Sequence, residues 1–397
     1  LAWWGAEARN KLYNQIADLY EQQNPHVTIV RETAGWDDYW IKTATQAASA
    51  NLPDIPASVI DTLSEYAQRG TYLPLNQFVE SGTIDTTGWP QAVLDGVTID
   101  DKLYMMPTGT TINSIIVNAD MVTDAGMEPP PFELTYDEYR DYVVELQSKL
   151  PEDVWATSDG ALTWEHFQTW ILQKGYQIAN EDHTDVGFPR DVPIAFLTYW
   201  QELYDAGAVL PIDYTVQPRS DQWAESSLAA GQVAMTWQNS NQLKIFQQYT
   251  DGDLILIRNP TMPDGEHKYG EYLRPSGLSI AANTNHPEEA AKFINFFVND
   301  PEAIKIFNNE LGAMAPEHAA EVLKDIIHPK DKLVTEYFNT ISATPELASK
   351  MPDPKGTPAV RSAFLRAAES VRYGTPIEEA VDTFMQEAAD AYKEASA

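Results

Sequence analysis

The sequence contains no cysteine, which removes disulfides, thiolate zinc sites and cysteine nucleophiles at once and leaves the redox compartment open. Positive charge is scarce. Lys and Arg number 26 against 59 Asp and Glu, a formal net charge of -33, so a phosphate backbone is repelled and no nucleic acid is expected as a partner. The same charge disfavours adsorption to anionic lipid and favours solubility. No stretch approaches 18 uninterrupted apolar residues, and Leu1-Ala2-Trp3-Trp4-Gly5 lacks the basic start, apolar run and cleavage site of a signal peptide. The chain therefore reads as a mature form from which any targeting segment has been removed. There is no G-x-S-x-G elbow, no H-E-x-x-H pair and no G-x-x-x-x-G-K-[ST] loop. Glu181-Asp182-His183-Thr184-Asp185 lacks the glycine and final glutamate of an EF-hand loop. No metal and no cofactor are expected.

What is present points to folded lobes. A chain of 397 residues exceeds the size at which one core stops growing, about 250 to 300 residues, so two domains are expected. The opening reads as a short strand ending at Gly5, then a helix with Leu12, Ile16 and Leu19 at helical spacing, stopped at Asn24-Pro25. Val27-Thr28-Ile29-Val30 reads as a second strand, and Tyr39 to Ala50 as a helix. This alternation predicts an α/β architecture with a mainly parallel sheet, whose ligand groups sit on loops at the carboxyl ends of strands. Ile112 to Val117 reads as a strand leaving the first lobe. Thr135 to Leu150 and Val192 to Tyr204 read as helices of a second lobe. Leu278 to Ala282 reads as a return strand before a helix that starts at Pro287. A proline-rich run, 351–358, interrupts the helical tail.

Several segments in order resemble a known family. They are Trp3-Trp4-Gly5, Asn24-Pro25-His26-Val27-Thr28-Ile29, Pro53-Asp54-Ile55, Tyr66-Ala67-Gln68-Arg69-Gly70 and Leu73-Pro74-Leu75. Asp101-Lys102-Leu103-Tyr104 with Pro107, Asn118-Ala119-Asp120-Met121, Ala230-Gly231-Gln232-Val233-Ala234-Met235 and Gly277-Leu278-Ser279-Ile280 follow, with Pro287-Glu288-Glu289-Ala290-Ala291-Lys292-Phe293-Ile294 last. Together they resemble the family 1 extracellular substrate-binding proteins of ABC importers, in the maltose-binding-protein-like, oligosaccharide-binding branch. The resemblance implies a two-lobed periplasmic-binding-protein fold of the class II type, with a hinge of two to three crossovers and a ligand cleft between the lobes. Its implied lobes are 1–110 with 278–315, and 115–276 with 316–397. It also implies membrane permease subunits as partners, a monomer, and an extracytoplasmic location, lipid-anchored at the cell surface or periplasmic. Val117 and Ala119 stand where the family has Tyr and Lys.

A sugar offers flat C–H faces and a belt of hydroxyls, so its site needs aromatic rings and planar polar side chains. The chain has 11 Trp and 19 Tyr, and for any single one the commoner role is core filling. Position selects Trp4 and Trp36 after strands, Trp237 with Asn239 after Ala234-Met235, and Tyr272 with Arg274 at a crossover. Trp164, Phe167 and Trp223 are further ligand candidates, whereas Trp170 should pack inward. Trp237→Ala is expected to weaken sugar binding by more than about 1 kcal/mol with little loss of thermal stability. Trp164-Glu165-His166 reads as a surface turn of a helix.

By the resemblance, Asp61 takes the place of an acidic sugar ligand; read from its neighbours alone, it is a helix N-cap. Thr110, Thr111 and Asn113 occupy the crossover, where the family often supplies a polar group. Thr111 and Leu365 replace a Glu and a stacking Trp of the maltose-binding branch, so maltose itself is not the expected ligand. The expected function is capture of a carbohydrate by a non-catalytic protein, first an oligosaccharide, with a monosaccharide and a charged uronate left open as alternatives. The alternative class is a carbohydrate-active enzyme with an acidic pair in the cleft, but with so many acidic residues pairs such as Asp137-Glu138 and Glu288-Glu289 read as negatively charged first turns of helices. A pure interaction protein leaves the aromatic loops unexplained.

Overall fold

A computed structural model describes residues 1–215, 223–345, 347, 350 and 352–396; Met351 of the proline-rich run lies outside them. The chain forms two compact units, Leu1–Thr111 with Leu273–Thr335, and Ile112–Tyr272 with Glu336–Ala397. It passes from one to the other three times.

In the first unit, the strand Ala2–Trp4 runs parallel to Glu32–Ala34, with Ala2 opposite Glu32. The helix Glu7–Gln23 connects them and buries Tyr13, Ile16, Ala17 and Tyr20. Residues 27–30 are not the strand that their β-branched composition suggests. The Ile29 N–H donates to the Glu21 carboxylate and Arg31 pairs with Asp18 and Glu21, so this segment is tied to helix side chains and Val30 is exposed. A second sheet has the order Ala57–Val59, Arg274–Leu278, Met106–Thr111, antiparallel throughout. The return strand thus starts earlier than expected and ends at Leu278, where 278–282 was expected to begin it. The segment 316–335, expected in the second lobe, belongs to the first unit: Ala319 and Leu323 pack with Ile304.

The second unit holds a four-stranded sheet in the order Leu254–Ile257, Asn113–Asn118, Val233–Asn239, Trp155–Thr157. Only its last pair is parallel. The expectation of mainly parallel sheets fails here as in the first unit, because the strands beside the unit boundaries, Met106–Thr111, Asn113–Asn118 and Arg274–Leu278, run antiparallel to their neighbours. The helices Tyr136–Gln147, Trp164–Gln173, Asp191–Asp205, Thr357–Arg372 and Ile377–Ser396 supply one core with the sheet. Thr135 starts the first of them with a capping box to Glu138, which satisfies two otherwise unpaired amide groups.

Candidate functional site

The parallel pair in the second unit decides where a polar site can form. Trp155–Thr157 and Val233–Asn239 end on the same side, because Trp155 lies opposite Val233 and Thr157 opposite Met235. Chain leaving parallel strands carries its side chains out beyond the sheet, where backbone groups need other partners. Here it leaves a recess open to solvent. Ser158, Asp159 and Thr163 line it from one strand end, Thr236, Trp237 and Gln238 from the other, and Ser226 and Ser227 from a turn.

The wall is held by hydrogen bonds. The Ser158 hydroxyl accepts from the Trp237 amide at 3.2 Å and meets the Thr236 hydroxyl at 3.2 Å. Asp159 accepts from the Ala161 amide at 2.9 Å and caps the short turn Gly160–Leu162. Its carboxylate is gripped by the Arg372 guanidinium through Nε at 2.6 Å and the second terminal nitrogen at 3.1 Å. Gly160 is required next to it, since a Cβ there would stand 2.1 Å from the Trp200 ring. Trp223 is half-buried, edge-on to Phe246 at 5.4 Å, and Phe246 lines the recess. Of the residues selected from sequence in this unit, Trp237 and Trp223 are therefore at or beside the recess.

Trp237 is nevertheless a core residue. It is 3% exposed, stacks on His166 at 3.8 Å and meets Trp200 edge-on. The expected substitution phenotype, weak binding with stability intact, does not fit a ring packed in this way. Trp164 and Phe167 are also interior: Phe167 stacks on Phe364 at 3.9 Å with planes 1° apart, and Trp164 packs beside both. Neither presents a face to solute. Trp170 packs inward as expected. His166 is fully buried rather than on a surface turn; its ring bonds the Tyr136 hydroxyl at 3.0 Å, and burial pushes its pKa down to about 3, since a charged ring would lose its hydration. Tyr272 is buried too, its hydroxyl donating to Gln168 with Lys350 5.0 Å from the ring centre. Asn113 is buried opposite the half-buried Asn239 and accepts the Tyr337 hydroxyl on its carbonyl at 3.0 Å.

The first unit offers a different surface. Trp4 ends its strand and Trp36 opens the helix Trp36–Ala48, and the two rings meet edge-on at 5.2 Å. Trp40 closes the group at 5.8 Å from Trp4 and 5.5 Å from Trp36. Trp4 is buried, whereas Trp40 is half-buried and Trp36 is 37% exposed, so the cluster opens to solvent chiefly at Trp36. Asp61 lies in the first turn of the helix Ile60–Gln68, but the N-cap is Val59, so the capping role read from its neighbours is not the one it plays. Its carboxylate pairs with Arg274 at 2.7 Å, and Arg274 lies opposite Thr111 in the sheet. Asp61, Arg274 and Thr111 are thus brought together from three distant segments. Thr110 is fully buried and exchanges both backbone hydrogen bonds with Ala313. Gly312 must be glycine there, as its φ is +102° and a Cβ would lie 2.3 Å from the Thr110 carbonyl.

The model of the family described as bacterial extracellular solute-binding protein matches residues 15–321. The chain belongs to this family. A periplasmic solute-binding protein from Pectobacterium atrosepticum shares 22% identity with it, over 99% of this chain and 98% of that one, at a TM-score of 0.88. A periplasmic oligogalacturonide-binding protein from Yersinia enterocolitica, in complex with saturated digalacturonic acid, shares 21% over 100% and 98%, at 0.87. An ABC substrate-binding protein from Listeria monocytogenes, in complex with cycloalternan, shares 21% over 98% of both chains, at 0.79. These structures share the α/β fold of two lobes.

For a solute-binding protein the residues missed from sequence are informative. Ser158, Asp159, Thr163, Ser226, Ser227 and Gln238 line the recess, and none is aromatic. Ser158-Asp159-Gly160 could have been found as a turn directly after a strand, once that strand was recognised as parallel to the one ending in Gln238 and Asn239. Trp40 was legible only as one more aromatic on a helix. Among the described residues no helix is long and apolar enough to cross a membrane.

Proposed function

We propose that the protein is the receptor subunit of an ABC importer: it holds a carbohydrate, an oligosaccharide, outside the cytoplasm and surrenders it to membrane permease subunits. The observation that carries this reading is the recess of the second unit, walled by hydroxyls, an amide and one carboxylate beside an indole. Such walls exchange hydrogen bonds with sugar hydroxyls while a ring covers a C–H face. The half-exposed Trp36 of the first unit supports the same chemistry, as do the sugar complexes of the fold relatives from Yersinia and Listeria. In the second unit we assign sugar contact to Trp223 and Asn239, with Ser158 and Gln238 added; in the first unit, taken by itself, we assign it to Trp36, Asp61, Arg274 and Thr111.

Binding without catalysis is favoured by the carboxylate inventory. A glycosidase needs two carboxyl groups flanking the bond, and among the described residues that line the recess Asp159 is the one acidic side chain, held in an ion pair. Tryptophan fluorescence and calorimetry against mono- and oligosaccharides, followed by analysis of the recovered sugar, test the reading. Saturable one-site binding in the micromolar range, about -8 kcal/mol, with the sugar intact is expected. Shortened sugar would replace the receptor by an enzyme, and silence across the panel would remove carbohydrate as the ligand class.

A further inference from the structure

We propose that the helix Pro329–Ser342 is a jointed element made of two half-helices, one pinned to each unit, with its joint at Glu336. The inference is independent of which ligand the protein binds. The division between the units falls inside this helix, after Thr335. The other two passages are short extended segments: Ile112 joins the strands Met106–Thr111 and Asn113–Asn118, and Leu273 leads into Arg274–Leu278. A helix resists bending, because the hydrogen bonds between each amide and the carbonyl four residues back must lengthen or break. Where it can give is therefore set by what holds it on either side.

In the first unit the pin is Thr335. Its hydroxyl donates to the Asp331 carbonyl at 3.0 Å and accepts from Nδ2 of Asn309 at 3.2 Å. Asn309 is buried, has a φ of +59° and accepts the Met314 amide on Oδ1 at 3.2 Å, so both arms of its side chain are committed to one position. A threonine hydroxyl on the carbonyl four residues back weakens and bends a helix locally, which places the soft point at the division itself.

In the second unit the pin is Tyr337. Its buried ring lies edge-on to Phe132 at 5.9 Å, and its hydroxyl donates to the Asn113 carbonyl at 3.0 Å. The helix is thereby fastened to the residue that opens the strand Asn113–Asn118. The second passage is fastened beside it: the Arg258 amide donates to the Phe132 carbonyl at 3.0 Å, and its guanidinium grips the Glu271 carboxylate at 2.9 and 3.1 Å. One residue, Glu336, stands between the two pins, and it is exposed. Bending between units is absorbed by a few residues at the ends of fastened elements, and here the fastening leaves it that one place in the helix.

The test is hydrogen–deuterium exchange of the full chain without ligand, read by mass spectrometry on overlapping peptides. Tyr337→Phe removes one hydroxyl and keeps the ring; losing that hydrogen bond is expected to speed exchange about 5-fold in 338–342 and 112–115 and to leave 331–335 unchanged. Thr335→Val is expected to act on the other half, speeding 331–335 and 309–314 about 5-fold and sparing 338–342. Thr335→Ser keeps the hydroxyl and should exchange like wild type. Each variant is expected to melt within about 4 °C of wild type, with exchange in the helix Asp191–Asp205 of the second unit unaltered. Acceleration over the whole of 329–342 in either variant would show one stiff rod without a joint. No change at 112–115 in Tyr337→Phe would remove the second pin, and acceleration that extends to Asp191–Asp205 would reduce the effect to overall stability. Any of these outcomes overturns the inference, and none of them bears on carbohydrate as the ligand class.

Discussion

The two aromatic clusters of this protein look alike in sequence and differ in what covers them. Trp4, Trp36 and Trp40 pack edge to face at the end of a strand and the start of a helix, and the cluster opens to solvent at Trp36. Trp237, His166 and Trp200 pack just as closely, but at the foot of a recess and inside a core closed by Phe167, Phe196 and Phe364. An aromatic after a strand is therefore not by itself a ligand platform. Where helices cover the sheet face it becomes the floor on which polar ligand groups stand, and its energy goes into stability rather than directly into binding.

The comparison can be broken most strongly through pH. The imidazole of His166 binds its proton only near pH 3 in the folded protein and near 6.5 when unfolded. Between those values the unfolded state holds more protons, so the stability contributed by keeping the ring neutral is complete above pH 6.5 and is lost as pH falls toward 3. At about 1.4 kcal/mol per pH unit this amounts to roughly 5 kcal/mol. Denaturant melts at pH 7 and pH 4 should show wild type losing several kcal/mol more than His166→Gln; equal losses would mean that the ring is not held neutral. The first unit's cluster contains no titrating ring of this kind.

Next in size is the contrast between two tryptophans. Trp237→Ala should lower stability by about 3–5 kcal/mol, as expected for truncating a large aromatic in a core, and urea unfolding measures it. A loss below about 1 kcal/mol would show the ring to be far less enclosed than its contacts indicate. Smallest is Trp36→Ala, expected to change stability by less than about 1 kcal/mol while weakening sugar binding by about 1–2 kcal/mol. Unchanged affinity would remove Trp36 from the binding surface and leave the second unit's recess to carry it.

The helix Trp164–Gln173 shows why core and site were confused. Trp164, His166, Phe167, Gln168, Thr169, Trp170, Ile171, Leu172 and Gln173 are all buried, so the helix has no solvent face for a periodicity to reveal. Its polar side is met by partners far away in sequence: Gln173 bonds the carbonyls of Pro260 and Lys268, and Asn259 bonds Thr169. The distance in sequence also hid Asp61 with Arg274 and Asp159 with Arg372, each pair being separated by 213 residues. By contrast the helix starts at Thr135 and Pro287 were legible, because the hydrogen bonds and backbone restraints that set them lie within one turn of the chain.

What the sequence determined by itself is therefore local or cumulative. The alternation of elements and the two-unit size follow from composition, length and short-range periodicity, and the ordered segments carried the family resemblance. What the tertiary structure alone decided is orientation. Strand pairing put Ser158 and Asp159 on the same side as Gln238, and the helix Thr357–Arg372 brought Arg372 onto the Asp159 carboxylate. Side-chain direction, and with it the difference between a buried ring and a binding surface, depends on which distant element covers a face, a fact that no local pattern encodes.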